Sequence, residues 1–263
     1  VIPSVKTPYY VVHAFTRRRF GGNPAGVCPL DRWLDEATMQ ALAHENDLAE
    51  TAFFVPRDGA FDLRWFTPEN EMDLCGHATL ASAWVLFERR GYVGHEITFH
   101  TKSGPLLVRR DGDRLAMDFP ARPPEPIETP AALIAALGAR PVETLRSRDL
   151  LCLFEREADV RALEPDMAAL LALGVHAVIV SAPGNDSDFV SRFFAPSVGV
   201  PEDPVTGSAH CTLVPWWSKR LGKKKLFARQ VSARGGELWC EDRGDRVEIA
   251  GHATLYLEGS IES

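Results

Sequence analysis

The chain, 263 residues long, repeats itself. From Asp62 it reads DLRWFTPENEMDLCGHATLASAW and later HTKSGPLLVRRDGDRLAMDF; from Phe189 it reads FVSRFFAPSVGVPEDPVTGSAHCTLVPWW and later QVSARGGELWCEDRGDRVEI. Arg64-Trp65-Phe66-Thr67-Pro68 lines up with Arg192-Phe193-Phe194-Ala195-Pro196, and Gly76-His77-Ala78 with Gly207-Ser208-Ala209. The offset is 128 at the arginines, 131 at the glycines and 132 at Gly112 and Gly244, a drift that small insertions produce. An ordered series of matches at a nearly fixed offset marks an internal duplication, and it limits the fold to two copies of one plan.

Each copy has the same grammar. Alternation in FDLRWF predicts a half-buried strand that ends at a proline. A polar loop then leads to a glycine, and an apolar run long enough for a helix follows, over 77–89 and 208–221. The first of these, ATLASAWVLF, is apolar nearly all round, which requires burial on most sides. Short strands come next, with Asp111-Gly112-Asp113 and Arg243-Gly244-Asp245 as hairpin turns. An amphipathic helix is expected over 35–45, and PARPPEPIETP, residues 120–130, is expected to be a linker because prolines cannot continue a central strand. The expected fold class is α+β, with strands wrapped around a central helix in each of two homologous domains. The expected limits are 1–122 and 123–252, with a tail at 253–263 packing back on the first domain.

Composition excludes several classes. Hydrophobic residues make up 45% and charged residues 25%, as in ordinary soluble globular proteins. A net charge of −7 lacks the clustered Lys and Arg of a nucleic-acid binder. The one basic run, Lys223-Lys224-Lys225, suits a solvated helix end. No apolar run reaches the ~18 residues of a membrane span. The opening VIPSVKTPYYVVHAF has no charged segment ahead of an apolar core, so no signal peptide is expected. Five cysteines at irregular spacing predict free thiols in a reducing compartment, the cytoplasm.

Cys75-Gly76-His77 invites three readings. Metal ligation is disfavoured, since a Cys-x-His spacing, like the adjacent His210-Cys211, matches no common zinc pattern. A thiol nucleophile is open, because Cys75 precedes a helix N-terminus that lowers thiol pKa values; a small buried hydrophobe is equally open, and the matching residue is Thr206. The third reading rests on the glycines. CGHA and TGSA both open helices, where unpaired N–H groups and the macrodipole attract an anion. Gly76, Ala78, Gly207 and Ala209 bring backbone donors, and His77 and Ser208 add side-chain donors. If the two copies face each other, both helix mouths serve one cleft suited to a small carboxylate. Asp203, in PEDPVTGSA, reads either as a turn former or as a carboxylate for a substrate amine or hydroxyl. Glu50 stands at a helix–strand junction, and the matching stretch LGVHAVIV has no carboxylate there. His44, His95, His100, His176 and His252 lie outside any motif and read as surface or satisfied core residues.

GNPAGV at 22–27, ETAFF at 50–54, LRWFTPENEMDLCGHATLASA, RFFAPSVGVPEDPVTGSAH and QVSARGGEL together resemble the phenazine-biosynthesis PhzF-like isomerase family, from about Tyr10 to Gly251. The resemblance implies a diaminopimelate epimerase-like fold with the active site in the cleft between the domains. It implies a homodimeric, cofactor-independent isomerase without metal, acting on a small carboxylate-bearing substrate, with neither nucleic-acid nor membrane partners. Carried over residue by residue, the acid/base is Glu50, assisted by His77, Asp203 and Ser208; Cys75, Gly76, Ala78, Thr206, Gly207 and Ala209 line the substrate. Related epimerases and racemases use two opposed cysteines. Here Thr206 replaces the second, which puts a two-thiol mechanism in doubt. The competing expectations are an amino-acid racemase or epimerase that uses Cys75, and a non-catalytic binding member of the fold.

Overall fold

A computed structural model describes residues 6–262. They form two compact units, one running up to Asp118 and resuming at Ala250, the other spanning Phe119–Ile249. These limits fall a few residues before the expected 122 and 252. The first unit contains β1 (Lys6–Ala14), β2 (Asn23–Pro29), α1 (Glu36–Asn46), β3 (Glu50–Arg57), β4 (Ala60–Phe66), β5 (Glu71–Met72), α2 (Gly76–Glu88), β6 (Glu96–Thr101), β7 (Gly104–Asp111) and β8 (Arg114–Pro120), which ends across the boundary. In the second unit come β9 (Glu125–Ile127), α3 (Ala131–Leu137), β10 (Glu143–Arg146), β11 (Leu150–Leu153), α4 (Glu157–Arg161), α5 (Met167–Ala172), β12 (Val178–Pro183) and β13 (Phe189–Ala195). It continues with a 3₁₀ turn (Pro196–Val198), β14 (Val200–Asp203), α6 (Gly207–Leu221), β15 (Lys225–Gln230), β16 (Gly236–Asp242) and β17 (Arg246–Gly251). Finally β18 (Ala253–Glu262) runs antiparallel along the full length of β1.

The duplication extends to the hydrogen-bond ladders. In the first unit β1 is antiparallel to β2, β2 parallel to β3, β3 antiparallel to β4, β4 parallel to β6, and β6 antiparallel to β7. In the second, β10 to β16 repeat the series: β10 antiparallel to β11, β11 parallel to β12, β12 antiparallel to β13, β13 parallel to β15, β15 antiparallel to β16. Each parallel step needs a helical crossover. The steps are filled by α1 and α2 in one unit, and by α4 with α5 and then α6 in the other.

Helix α2 has ten of its thirteen residues buried, and it packs against β1, β2, β3, β7 and β18. Ala78, Ala81 and Ala83 let the strands approach closely. Its buried hydroxyls are satisfied on the helix's own backbone: Thr79 Oγ1 donates to Cys75 O at 2.6 Å and Ser82 Oγ to Ala78 O at 2.8 Å. Burying Leu80, Val85 and Leu86 contributes about 1.5–3 kcal/mol each.

The expected linker departs from expectation. Within 120–130, Glu125–Ile127 form β9, paired with β10 on one side. Prolines are tolerated there because an edge strand does not need every N–H. Upstream, the backbone is tied to α6 by a proline of a different kind. Pro215 lies inside α6 and offers no N–H to Cys211 O, four residues back. That carbonyl accepts the Arg122 N–H instead, at 2.8 Å.

The matched arginines perform matched work. Arg64 grips Glu71 with two hydrogen bonds of 2.7 Å and lies over the Phe66 ring. Arg192 grips Glu202 at 2.7 and 3.0 Å and lies over Phe194. Each fork ties a β-strand to the short strand that precedes a central helix. Arg192 also donates to Val160 O and Leu163 O. Arg192→Leu should therefore cost about 3 kcal/mol in urea unfolding, the scale of breaking a largely buried pair, and more than Arg64→Leu. Equal losses would remove the special weight given to the second fork.

His210 is buried in α6: its Nδ1–H donates to Thr206 O at 2.8 Å, and its Nε2 is buried without a hydrogen-bond partner. Burial pushes its pKa down from 6.5 to about 4. A lowered histidine pKa means that the unfolded chain binds the proton first, so stability falls as pH drops from 6.5 toward 4. The loss across that window is about 3 kcal/mol. The stability difference between wild type and His210→Leu, measured by denaturant titration at several pH values, should shrink by that amount on the acid side.

Candidate active site

Helix α1 sets the position of Glu50. Its Asp35 cap accepts the Thr38 N–H at 2.9 Å, and Met39 and Ala43 seat the helix in a core with Cys28, Phe53 and Phe66. The helix stops at Asp47, left-handed at φ 48°, whose N–H returns to Ala43 O and His44 O. The chain then enters β3 with Glu50 opposite Ala25 of β2. Two residues earlier on β2 is Asn23, fully buried. Helix α2 brings the other partners: Cys75 is the residue at its start, in extended conformation, and His77 lies in its first turn.

These side chains converge. His77 Nε2 lies 3.1 Å from Glu50 Oε2, while His77 Nδ1 lies 3.2 Å from Asn23 Nδ2 and 3.5 Å from Cys75 Sγ. In the neutral ring an Asn23 amide donating to Nδ1 leaves the proton on Nε2, toward Glu50; in the imidazolium both nitrogens carry protons, and the amide turns its oxygen to Nδ1–H. The Glu50–His77 pair has the distance of an ion pair, yet neither of the two atoms has a hydrogen-bond partner of acceptable geometry. Both facts hold together if Oε2 and Nε2 are side by side and aimed past each other, toward a common third point. Glu50 keeps 12% of its side chain exposed and His77 6%, so the point is sheltered and still reachable.

Electrostatics separates the two partners of Glu50. Burial raises the Cys75 thiol pKa and the Glu50 charge raises it further, against His77 and the facing Ala78 N–H, so the thiol stays protonated at neutral pH. Burial opposes charging of His77, but the Cys75 sulfur first and the Glu50 carboxylate second, by charge and by hydrogen bond, outweigh burial and push its pKa well above the ordinary histidine range. Cys75, the residue before α2, makes no side-chain cap hydrogen bond to the first turn, where Gly76, His77 and Ala78 carry the N–H groups that a helix leaves without an intrahelical partner.

In the second unit the corresponding place is built differently. Thr206 starts α6 and also gives no side-chain cap, ahead of Gly207, Ser208 and Ala209. Thr206 Oγ1 donates to the Asp203 carboxylate. Gln230, at the end of β15, accepts the Thr206 N–H at 2.8 Å and donates to Asp203 O at 2.7 Å. Asp203 is thus part of a braced loop, and Ser208 is half-buried beside it. The structure gathers Glu50, Cys75 and His77 at one point of the first unit; in the second, Asp203 and Thr206 are hydrogen-bonded to each other and Ser208 lies in the first turn of α6.

Four supports escaped the reading of the sequence. Asn23 sits in the quoted GNPAGV run, and its signal is a polar residue inside an otherwise apolar strand. Gln230 opens QVSARGGEL. Ser103 and Ser232 donate to Asp73 O and Pro204 O, both at 2.8 Å, and so hold equivalent carbonyls of the two loops. Among the described residues, one group has metal-ligand chemistry: Glu50, Cys75 and His77, with one donor atom from each within 4.8 Å of the others. None of the helices is long and apolar enough to cross a membrane.

Comparisons with known proteins agree with this architecture. The profile of the phenazine biosynthesis-like protein family, PhzC-PhzF, matches residues 12–259. An uncharacterized isomerase of Pseudomonas aeruginosa is 54% identical over 96% of this chain and 97% of its own. A crystal structure of a PhzF family protein from Enterococcus faecalis superposes with a TM-score of 0.96 at 47% identity, covering 98% of this chain and 99% of that one. A hydroxyproline epimerase from Agrobacterium vitis, at 12% identity, shares the fold with a TM-score of 0.64 over 98% of this chain and 92% of its own. With a duplicated α+β plan and a glycine-opened helix mouth in each unit, this chain belongs to the PhzC-PhzF phenazine biosynthesis-like family, as an isomerase with the diaminopimelate epimerase-like fold.

Proposed function

We propose that this isomerase needs no cofactor and moves a proton between two carbons of a small carboxylic acid, with Glu50 as the group that takes and returns it. The reading rests on one observation above the rest: Glu50 Oε2 and His77 Nε2 stand 3.1 Å apart, buried and without other partners, beside a helix mouth to which Cys75 makes no side-chain cap hydrogen bond. The substrate carboxylate binds at the mouth of α2. The Glu50 carboxylate takes a proton from the adjacent carbon, and the C–H electron pair delocalises into the carboxylate as a double bond forms. The helix N–H groups and the His77 imidazolium hold the developing negative charge. Glu50, now protonated, delivers the proton to another carbon, and the electron pair moves with the shifting double bond. By the family resemblance Asp203 and Ser208 assist in binding and proton handling, and Gly207 and Ala209 in substrate binding. The family resemblance adds a homodimer, for which light scattering should give about twice the 29.0 kDa chain mass; a monomer at micromolar concentration removes that part.

A second reading has its own observation. Cys75 Sγ lies 3.5 Å from His77 Nδ1, a distance at which the thiol can exchange a proton with the ring. It favours epimerisation, with Cys75 as one of the acid/base groups. The raised thiol pKa and the threonine at the matching position weigh against it.

Solvent deuterium incorporation, followed by NMR over a panel of amino acids and unsaturated cyclic carboxylates, identifies a substrate. On that substrate Glu50→Gln should lose at least ~10²-fold in rate, the usual worth of a positioned proton-transfer group, with ligand affinity largely kept. Cys75→Ser should retain a substantial fraction of the rate. An inactive Cys75→Ser beside a nearly wild-type Glu50→Gln, both folded by circular dichroism, would make the enzyme a thiol racemase.

A further inference from the structure

We propose that Glu50, Cys75 and His77 bind a thiophilic divalent cation of the Zn²⁺ class, and that the bound ion switches the enzyme off instead of serving its chemistry. Thiolate sulfur, imidazole nitrogen and carboxylate oxygen are the donors such ions take, and three protein ligands with an open fourth position form a complete tetrahedral half-shell. One donor atom from each of the three residues lies within 4.8 Å of the others. Around a tetrahedral ion with bonds of about 2.0–2.3 Å, ligand atoms stand roughly 3.3–3.7 Å apart. The Glu50–His77 edge, 3.1 Å at Nε2, is already near that range; Cys75 Sγ lies 3.5 Å from the other ring nitrogen, Nδ1, so side-chain rotation is needed to bring sulfur and Nε2 to one ion.

Two further observations point to a ligand at this place. The buried atoms Glu50 Oε2 and His77 Nε2 lie 3.1 Å apart and neither has a hydrogen-bond partner, so both keep bonding capacity for a ligand. The other ring nitrogen is held by the Asn23 amide at 3.2 Å, and a half-turn of that amide presents its oxygen to an Nδ1–H, the support that metal-bound histidines use. Charge closes the argument. A buried thiolate and a buried carboxylate sum to −2, which a divalent ion neutralises, so the Cys75 thiol proton and the proton of the His77 imidazolium at the ligating nitrogen are both released to solvent when the ion binds. The second unit cannot repeat the site, because Thr206 stands where Cys75 does and His210 is turned into the core on Thr206 O. The two-residue spacing of Cys75 and His77 hid this donor set in the sequence, since its third member comes from β3.

Binding itself does not depend on the proposed reaction. The inhibitory consequence does rest on that reading, because an ion on the Glu50 carboxylate takes the lone pair that would accept the substrate proton. The test uses the full chain after chelator treatment, titrated with Co²⁺ and Zn²⁺. Expected are one ion per chain by equilibrium dialysis at micromolar free metal, a sulfur-to-cobalt charge-transfer band, and tetrahedral cobalt absorption. Cys75→Ser should abolish the band. Cys75→Ser, His77→Gln and Glu50→Gln should each weaken Zn²⁺ binding at least ~10-fold. Cys211→Ser, a buried cysteine outside the trio, should leave both unchanged. No stoichiometric ion, or a charge-transfer band that survives in Cys75→Ser, overturns the proposal. With a substrate from the deuterium screen, Zn²⁺ should stop exchange and a chelator restore it. Tight 1:1 binding that leaves exchange untouched overturns the inhibitory role, whereas an active Glu50→Gln overturns the proton-transfer assignment and leaves the metal site standing.

Discussion

Each central helix is enclosed by its own sheet, and much else follows from that enclosure. Helix α2 has strands on several sides, so it can present to solvent little beyond its ends. Its side chains must be small or apolar, and its hydroxyls must find partners on its own backbone, as Thr79 and Ser82 do. The reactive part of such a helix is its N-terminus, where several N–H groups remain unpaired whatever the sequence. A glycine there keeps the approach open. Enclosing a helix in strands therefore produces an anion-binding mouth as a by-product of packing, and duplicating the unit produces two.

The duplicated units kept their scaffolding and diverged in chemistry. Arg64 with Glu71, and Arg192 with Glu202, are the same brace in two places, each carboxylate gripped at both oxygens and each guanidinium over an aromatic ring. Ser103 and Ser232 hold equivalent carbonyls. At the helix mouths the likeness ends. One unit places a carboxylate, a thiol and an imidazole together; the other spends its polar groups on internal bracing, with Asp203 and Gln230 both bound to Thr206. A fully braced mouth is a rigid holder. A mouth whose buried oxygen and nitrogen lack partners is a place where something is meant to bind, since leaving such groups unsatisfied costs stability.

Burial also sorts the two groups beside Glu50. The same low-dielectric surroundings that raise the Cys75 thiol pKa fail to neutralise His77, because the Cys75 sulfur and the Glu50 carboxylate both stand against the ring. Desolvation acts on both, and the neighbour decides the outcome. A neutral thiol and a cationic imidazole next to one carboxylate suit proton transfer at that carboxylate. They also explain why an ion that supplies its own positive charge can compete for the same three atoms.

Some of this was legible in the linear chain. The repeat offset, the glycine ahead of each apolar run and the hairpin turns are local patterns, and local patterns survive in sequence because neighbours along the chain determine them. Glu50, Cys75, His77, Asp203, Thr206 and Ser208 could all be picked out, most of them only through family resemblance. What the chain alone left open is everything that depends on residues distant in sequence meeting in space. Pro126 can sit in a strand because β9 has a partner on one side only. Pro215 is tolerated in α6 because Arg122 caps the carbonyl it leaves. Asn23 and Gln230 carry no motif, and they matter through what they touch. The meeting of Glu50 with His77 across 27 positions belongs to the tertiary structure too, because only the parallel pairing of β2 with β3, and the packing of α2 against both, brings those two side chains within 3.1 Å.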